Sequence, residues 1–214
     1  MRKLFFIIIS VWLIGIADAQ WDVSAGMGVD ITYSPALTDY ISTLPTIDKI
    51  NSYNITAEFS AAGATYISPD WQLGAEYAMS LFSFNSVYSE GATGTYTLEY
   101  TAFKPSLLLF YVVSGKGYFF KLGGGAGYRY YDVTEKISSA IDYKTSGFGL
   151  VLRIEGHTLL SGNFYAMIGG DLRQDFPGQP SNGDKYLYDY VSNDKVNLNT
   201  FSAGLKIGIS YFFR

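Results

Sequence analysis

Residues 201–214 read FSAGLKIGISYFFR. Phe201, Ala203, Leu205, Ile207, Ile209, Tyr211 and Phe213 share one parity, while Ser202, Gly204, Lys206, Gly208 and Ser210 share the other. A period of two marks an extended strand with one apolar and one polar face. A soluble barrel turns its apolar parity inward, whereas a membrane barrel turns the same parity outward to lipid. The rest of the chain has to choose between them.

The same alternation recurs seven more times. Residues 21–33 set Trp21, Val23, Ala25, Met27, Val29 and Ile31 against Asp22, Ser24, Gly26, Gly28, Asp30 and Thr32, and residues 53–67 set Ile55, Ala57, Phe59 and Ala61 against Asn54, Thr56, Glu58 and Ser60. Strands are expected again at 71–81, 95–113, 118–130, 147–155 and 164–173. Proline cannot donate to a strand ladder, so Lys104-Pro105 predicts a bulge in the fourth strand. Above it, Tyr96, Leu98 and Tyr100 form the apolar parity against Thr97, Glu99 and Thr101. Connections near 68–70, 114–117 and 157–163 are short, while those at 34–50, 85–94, 132–142 and 174–197 are longer and polar. No helical period stands out, and no linker divides the chain.

The polar parity carries mostly Gly, Ser and Thr, interrupted by Asp30, Glu58, Glu76, Glu99, Lys121, Arg129, Arg153, Glu155, Asp171, Arg173 and Lys206. Acids and bases nearly balance. A water-facing exterior would be rich in long charged side chains, whereas the crowded lumen of a narrow barrel needs small residues beside a few paired charges. The apolar parity ends in Trp21, Tyr33, Trp71, Tyr211 and Phe213, as aromatic girdles at membrane interfaces would. The apolar face is therefore expected to meet lipid, in an all-β, antiparallel up-and-down barrel of about eight transmembrane strands. The charges are expected to fill the lumen, with Asp171 paired to Lys206 and Glu99 to Arg129.

With these strands and the closing ISYFF, the sequence resembles the small outer-membrane barrels typified by the OmpA transmembrane domain and OmpX. The resemblance implies a Gram-negative outer membrane, contact with its lipid and lipopolysaccharide, and a monomer. It also implies that Tyr211 and Phe213 act as the C-terminal signal read by the barrel insertion machinery.

The N-terminus agrees with export. Arg2 and Lys3 precede an apolar run at 4–16 and Ala17-Asp18-Ala19, so residues 1–19 read as a signal peptide and residues 20–214 as the barrel domain. Cysteine is absent and the net charge is −4, which excludes disulfide and thiolate metal sites and argues against nucleic acid as a partner. The 19 Tyr and 15 Phe suit wet-apolar boundaries instead.

Chemistry-bearing motifs are sparse. The single histidine, His157, is expected at an interfacial turn, and no second signature builds a triad with Thr158, Ser161 or Glu155. Asp184, Asp189, Asn193 and Asp194 lack the spacing of a calcium loop, and Gly123-Gly124-Gly125-Ala126-Gly127 lacks the Lys-Ser or Lys-Thr of a phosphate loop. No catalytic residue, metal or cofactor is expected. Residues 185–191 continue the alternation, predicting a ribbon above the membrane with Tyr186, Tyr188 and Tyr190 as recognition groups for an extracellular protein or glycan. The expected role is a non-enzymatic surface protein contributing to adhesion or envelope integrity, with a narrow channel or a lipid-modifying enzyme as alternatives.

Overall fold

The computed structural model describes residues 20–48, 50, 53–88, 94–189 and 191–213. The expected signal peptide, Tyr190 and Arg214 lie outside them. The elements are β1 (Trp21–Tyr33), α1 (Pro35–Thr43), β2 (Tyr53–Ser68), β3 (Trp71–Val87), β4 (Thr95–Gly115), β5 (Tyr118–Lys136), β6 (Ala140–Ser161) and β7 (Phe164–Phe176). Four two-residue strands follow, β8 (Ser181–Asn182), β9 (Lys185–Tyr186), β10 (Tyr188–Asp189) and β11 (Asp194–Lys195), before the closing β12 (Thr200–Phe213). The eight long strands pair antiparallel in chain order, and β12 returns to β1 from Trp21↔Phe213 to Tyr33↔Phe201. The up-and-down barrel expected from the alternation is the observed fold.

The start of β1, the end of β12 and the three tight turns share one end. Gly117 and Gly162 take positive φ values of 82° and 57° in two of those turns, where a side chain would be strained. From this turn end, outward residues are predominantly apolar in every strand: Leu205 is 71% exposed and Ile55 is 73%. Aromatic pairs rim the belt below, with Trp21 stacked on Phe213 at 3.6 Å and Phe164 edge-on to Tyr211 at 4.9 Å. At the other rim, Phe148 meets Phe176 at 5.0 Å and Phe103 meets Tyr130 at 6.2 Å. At ~3.4 Å per residue and a tilt of ~40°, the path from Phe201 to Phe213 spans roughly 30 Å, matching a hydrocarbon core.

The expected bulge at Lys104-Pro105 is absent. β4 pairs with β3 in unbroken register through Ala78↔Lys104 and Tyr77↔Pro105, and its register with β5 is the same on both sides of the proline. Even-numbered residues of β4 face inward from Tyr96 to Val112. What changes is the medium outside. Below Phe103 the outward residues Leu107, Leu109 and Tyr111 are apolar, and above it they are Thr101, Glu99 and Thr97. Tyr96, Leu98 and Tyr100 therefore point into the molecule, not to lipid, and Glu99 lies outside, accepting a hydrogen bond from Ser83 Oγ at 3.0 Å. The same change falls between Leu81 and Ser83 in β3, Tyr130 and Asp132 in β5, and Phe148 and Ser146 in β6.

β3 to β6 thus rise beyond the belt as a four-stranded wall, longer than the expected strands, while β1, β2, β7 and β12 stop near it. Two further expectations are corrected above the belt. The 34–50 connection contains α1, opened by Pro35 in its first turn, with Leu37, Tyr40 and Ile41 at helical spacing against the wall. Residues 185–191 do not form a projecting ribbon. Those of them that are described divide between two small hairpins, β8–β9 and β10–β11, the first anchored to β6 through Lys144↔Ser181. Leu187, Val196 and Leu198 are buried with α1, because a continuing ribbon would have left these side chains in water.

Candidate functional site

The lumen is filled in three layers. At the turn end, Phe119 stacks on Phe212 at 4.5 Å, Tyr165 meets Phe212 at 4.7 Å, and Phe110, Val112, Val151 and Leu108 close the floor. Lys121 Nζ is 2.8 Å from Asp22 Oδ1 in this layer, and Gln72 donates to the same carboxylate at 2.9 Å.

Directly above this floor, Ser210 Oγ is 2.7 Å from His157 Nδ1, and His157 Nε2 is 3.2 Å from Glu155 Oε2. His157 is 1% exposed and lies edge-on to Phe212, so it is a buried lumen residue and not the interfacial turn residue expected. The miss has a simple cause: β6 continues to Ser161, which keeps position 157 on the inward parity.

The middle layer is ionic. Arg153 binds Glu76 through both terminal nitrogens and reaches Asp171 Oδ2 at 2.9 Å. Arg173 donates to Glu58 at 3.1 Å, Glu76 at 2.9 Å and Asp171 at 3.1 Å, while Lys206 Nζ is 2.9 Å from both Glu58 and Asp171. Higher up, Asp175 takes Arg129 Nε, with Lys104 Nζ at 3.6 Å, and Tyr131 donates to it at 3.4 Å. These groups are almost wholly buried, and partial pairing would be costly there, which explains why each shares several partners. Asp30 and Asp171 both crowd the face of Gly204, where any Cβ would collide with their oxygens.

The third layer is a dry crown. Leu37, Tyr40 and Ile41 of α1 pack with Phe82, Tyr96, Leu98, Tyr100, Tyr131, Val133 and Tyr143 of the wall and with Leu187, Val196 and Leu198. One acid sits within it. Glu135 Oε1 accepts from Tyr40 in a short hydrogen bond and from Tyr96 at 3.0 Å. Burial, then the charge of Glu135, pushes the Tyr40 phenol up. Asp189 ties the loop beside α1: it accepts from Ser192 Oγ at 2.7 Å and from the Val191 amide at 2.9 Å, and these bonds hold its carboxyl below the usual range.

No protein-family model matches the chain, and neither does any curated protein. Solved structures do. The chain is similar to a major outer membrane protein from Thermus thermophilus, with a TM-score of 0.52 at 16% identity over 91% of this chain and 99% of that one. It is also similar to Ail, the attachment invasion locus protein of Yersinia pestis, with a TM-score of 0.51 at 10% identity over 91% and 99% of the two chains. The chain has the fold of a small outer-membrane β-barrel. Neisserial surface protein A resembles it in the same way, with a TM-score of 0.50 at 12% identity over 90% and 97%.

Within this barrel, Glu58, Glu76, Arg153, Asp171, Arg173 and Lys206 come together in one cluster, including the Asp171–Lys206 pair. Lys121, Arg129 and Glu155 also face inward, in the layers on either side. Glu99 does not: it is outside, and Arg129 takes Asp175 in its place. Sequence reading missed Lys104, hidden by the assumed bulge; Asp175, assigned to a loop; and Glu135, beyond the assumed end of β5. Their inward parity was the available signal. The glycine run is strand, and a Cβ at Gly123, Gly125 or Gly127 would run into β4 carbonyls. Among the described residues no cluster of His, Cys, Asp or Glu is arranged to hold a metal. Tyr186 is exposed, with Lys195 Nζ 3.4 Å from its ring centroid, whereas Tyr188 is half-buried and donates to Asn193 at 2.9 Å.

Proposed function

We propose that the protein is a non-enzymatic component of a Gram-negative outer membrane whose extracellular crown engages a protein or glycan, in adhesion or in support of the envelope. The observation that carries this reading is where the chain spends its structure. The lumen is blocked by an aromatic floor, an ionic layer and a dry crown, while β3 to β6, α1 and two hairpins are built above the belt. The short-turn end is taken as periplasmic, with Tyr211 and Phe213 presented to the insertion machinery and lipopolysaccharide surrounding the upper girdle.

The Ser210–His157–Glu155 chain is read as structural. It lies just above Phe212 among strands whose amides are committed to ladder pairing, so no backbone donors remain for an oxyanion. A partner of adhesive type accords with the likeness to Ail, an attachment invasion locus protein. Ail binds a heparin analogue, sucrose octasulfate, but the charge of this crown differs. Exposed crown acids Asp39, Asp48, Glu99, Asp142, Asp184 and Asp194 outnumber exposed Lys136, Lys144 and Lys185 among the described residues, which disfavours a polyanion. Tyr186 and Val191, the latter 76% exposed, are the apolar contact points of the hairpins.

The test compares cells displaying the parent and a Tyr186→Ser/Val191→Ser variant at equal surface abundance, measuring capture on host-cell and glycan arrays. Lower capture by the variant is expected, with unchanged heat-modifiable mobility. Equal capture refutes the crown reading. Altered lipid A or phospholipid on expression, abolished by His157→Ala, would overturn the non-enzymatic one.

A further inference from the structure

The outer wall carries a recess that neither the lumen nor the crown explains. Register places Leu122 beside Ile154, Ile154 beside Gly170, and Gly170 beside Leu205. One row higher, Leu152 stands beside Leu172, Leu172 beside Ala203, and Ala203 beside Ile31. Large aliphatic side chains thus flank two small residues, leaving a groove of about 730 Å³ over Gly170 and Ala203. That is within the ~300–1,000 Å³ of small-molecule sites. It lies mid-belt, between Phe201 above and Phe164 and Tyr211 below.

Gly170 is not required by the backbone. A Cβ there would come no closer than 3.4 Å to Gly204 O, 3.7 Å to Leu205 and 3.9 Å to Ile154, all ordinary contacts. Gly123 and Gly125, nearby, are different, because their Cβ atoms would strike Leu109 and Leu107 carbonyls. The missing side chain at 170 therefore has one geometric effect, which is to recess the surface. Arg153 and Asp171 also contribute to the floor, but their side chains are buried in the lumen, so only their main chain reaches the groove. No polar side chain is offered to an occupant.

We propose that this groove seats one acyl chain of a membrane lipid. The groove is continuous with the lipid-facing belt, its walls are aliphatic, and a chain lying in it gains contact on three sides where a smooth wall gives one. A headgroup or a polar peptide finds no hydrogen-bond partner there. The seated hydrocarbon also covers a stretch of wall that is bare backbone at Gly123, Gly170 and Gly204, directly outside the Arg153–Asp171–Lys206 cluster. This inference rests on the lipid-facing belt and not on the crown's partner.

The experiment uses the full barrel in vesicles of phosphatidylethanolamine and phosphatidylglycerol doped with a phospholipid carrying a photoactivatable group in mid-chain, with adducts mapped by mass spectrometry. Labelling of Leu122, Ile154 and Leu205 is expected to exceed that of Leu73, Leu107 and Leu109 on the opposite wall several-fold. Gly170→Leu and, separately, Ala203→Leu fill the groove and bring labelling down to the opposite-wall level, with heat-modifiable mobility confirming the fold. Gly170→Ala serves if the leucine variant does not fold, and reduces labelling partially. Even labelling around the belt overturns the proposal. So does labelling that survives in a folded filled variant, or protein dimers cross-linked through the groove in place of lipid adducts.

Discussion

Glu76→Gln tests whether the ionic layer holds the barrel together. Glu76 binds both terminal nitrogens of Arg153 and accepts from Arg173 at 2.9 Å, and all three groups are buried. The amide keeps the shape and removes the charge. Breaking a buried ion pair by neutralising one partner costs ~3–5 kcal/mol. Here Arg153 keeps Asp171 at 2.9 Å and Glu155 at 3.6 Å, and Arg173 keeps Glu58 and Asp171, so the loss falls at the lower end, about 3 kcal/mol. With a urea slope of ~2–3 kcal/mol per molar, the unfolding midpoint moves down by roughly 1–1.5 M. The assay is urea unfolding in lipid vesicles, followed by heat-modifiable mobility and tryptophan fluorescence. Glu99→Gln, on the outer face beside Ser83, is the control and shifts stability by less than about 0.5 kcal/mol. Equal midpoints for Glu76→Gln and the parent, or an equal loss in the control, would refute the reasoning.

Three other outcomes follow from the layers. Ile41→Ala removes a fully buried side chain from α1 and costs about 2–4 kcal/mol of crown stability, read as faster proteolysis above the belt while the barrel keeps its heat-modifiable mobility. Planar bilayers containing the parent are expected to be silent, and Phe212→Ala stays silent because the ionic and crown layers remain; steady single-channel conductance in the parent contradicts the filled lumen. The phenols of Tyr40 and Tyr96 are held high by burial first, so their contribution is complete below pH ~10 and declines as pH rises beyond it, where unfolded tyrosine ionises and the folded groups do not. Tyr40→Phe therefore flattens the alkaline loss of crown protection, measured by hydrogen exchange between pH 8 and 11; an unchanged slope counts against the buried-phenol assignment.

The belt was legible because one physical rule governs it: lipid outside, charge inside, two residues per period. Phe201 to Phe213 obeys that rule throughout. The crown was not, because above the membrane surface the rule inverts without any change in the strand. β4 carries the inversion between Phe103 and Thr101, beside Lys104-Pro105, where the missing proline donor had pointed to a bulge. α1 was missed because nine residues with three inward apolar side chains show too few turns for a period to emerge. His157 and Glu135 were misplaced for a related reason: strand ends were drawn where polar residues begin, yet an inward polar residue near a strand end is what a sealed barrel requires.

The ionic layer also bears on how the barrel completes itself. Neighbouring strands from β1 to β7 meet through local hairpins or single loops, whereas β1 and β12 meet only when the two ends of the chain come together. Lys206 arrives on that last strand and lands on Glu58 of β2, 148 residues away in sequence. Until the seam closes, Glu58 lacks this ammonium, which Asp171 on the adjoining β7 already holds, and an unclosed sheet entering hydrocarbon would leave Glu58 short of positive charge near the β1 edge. Closure supplies the missing cation and the thirteen-pair seam in one step. The same lysine that helps to fill the lumen therefore acts as a latch on assembly, making the half-zipped barrel a poor resting state and the sealed one hard to reopen.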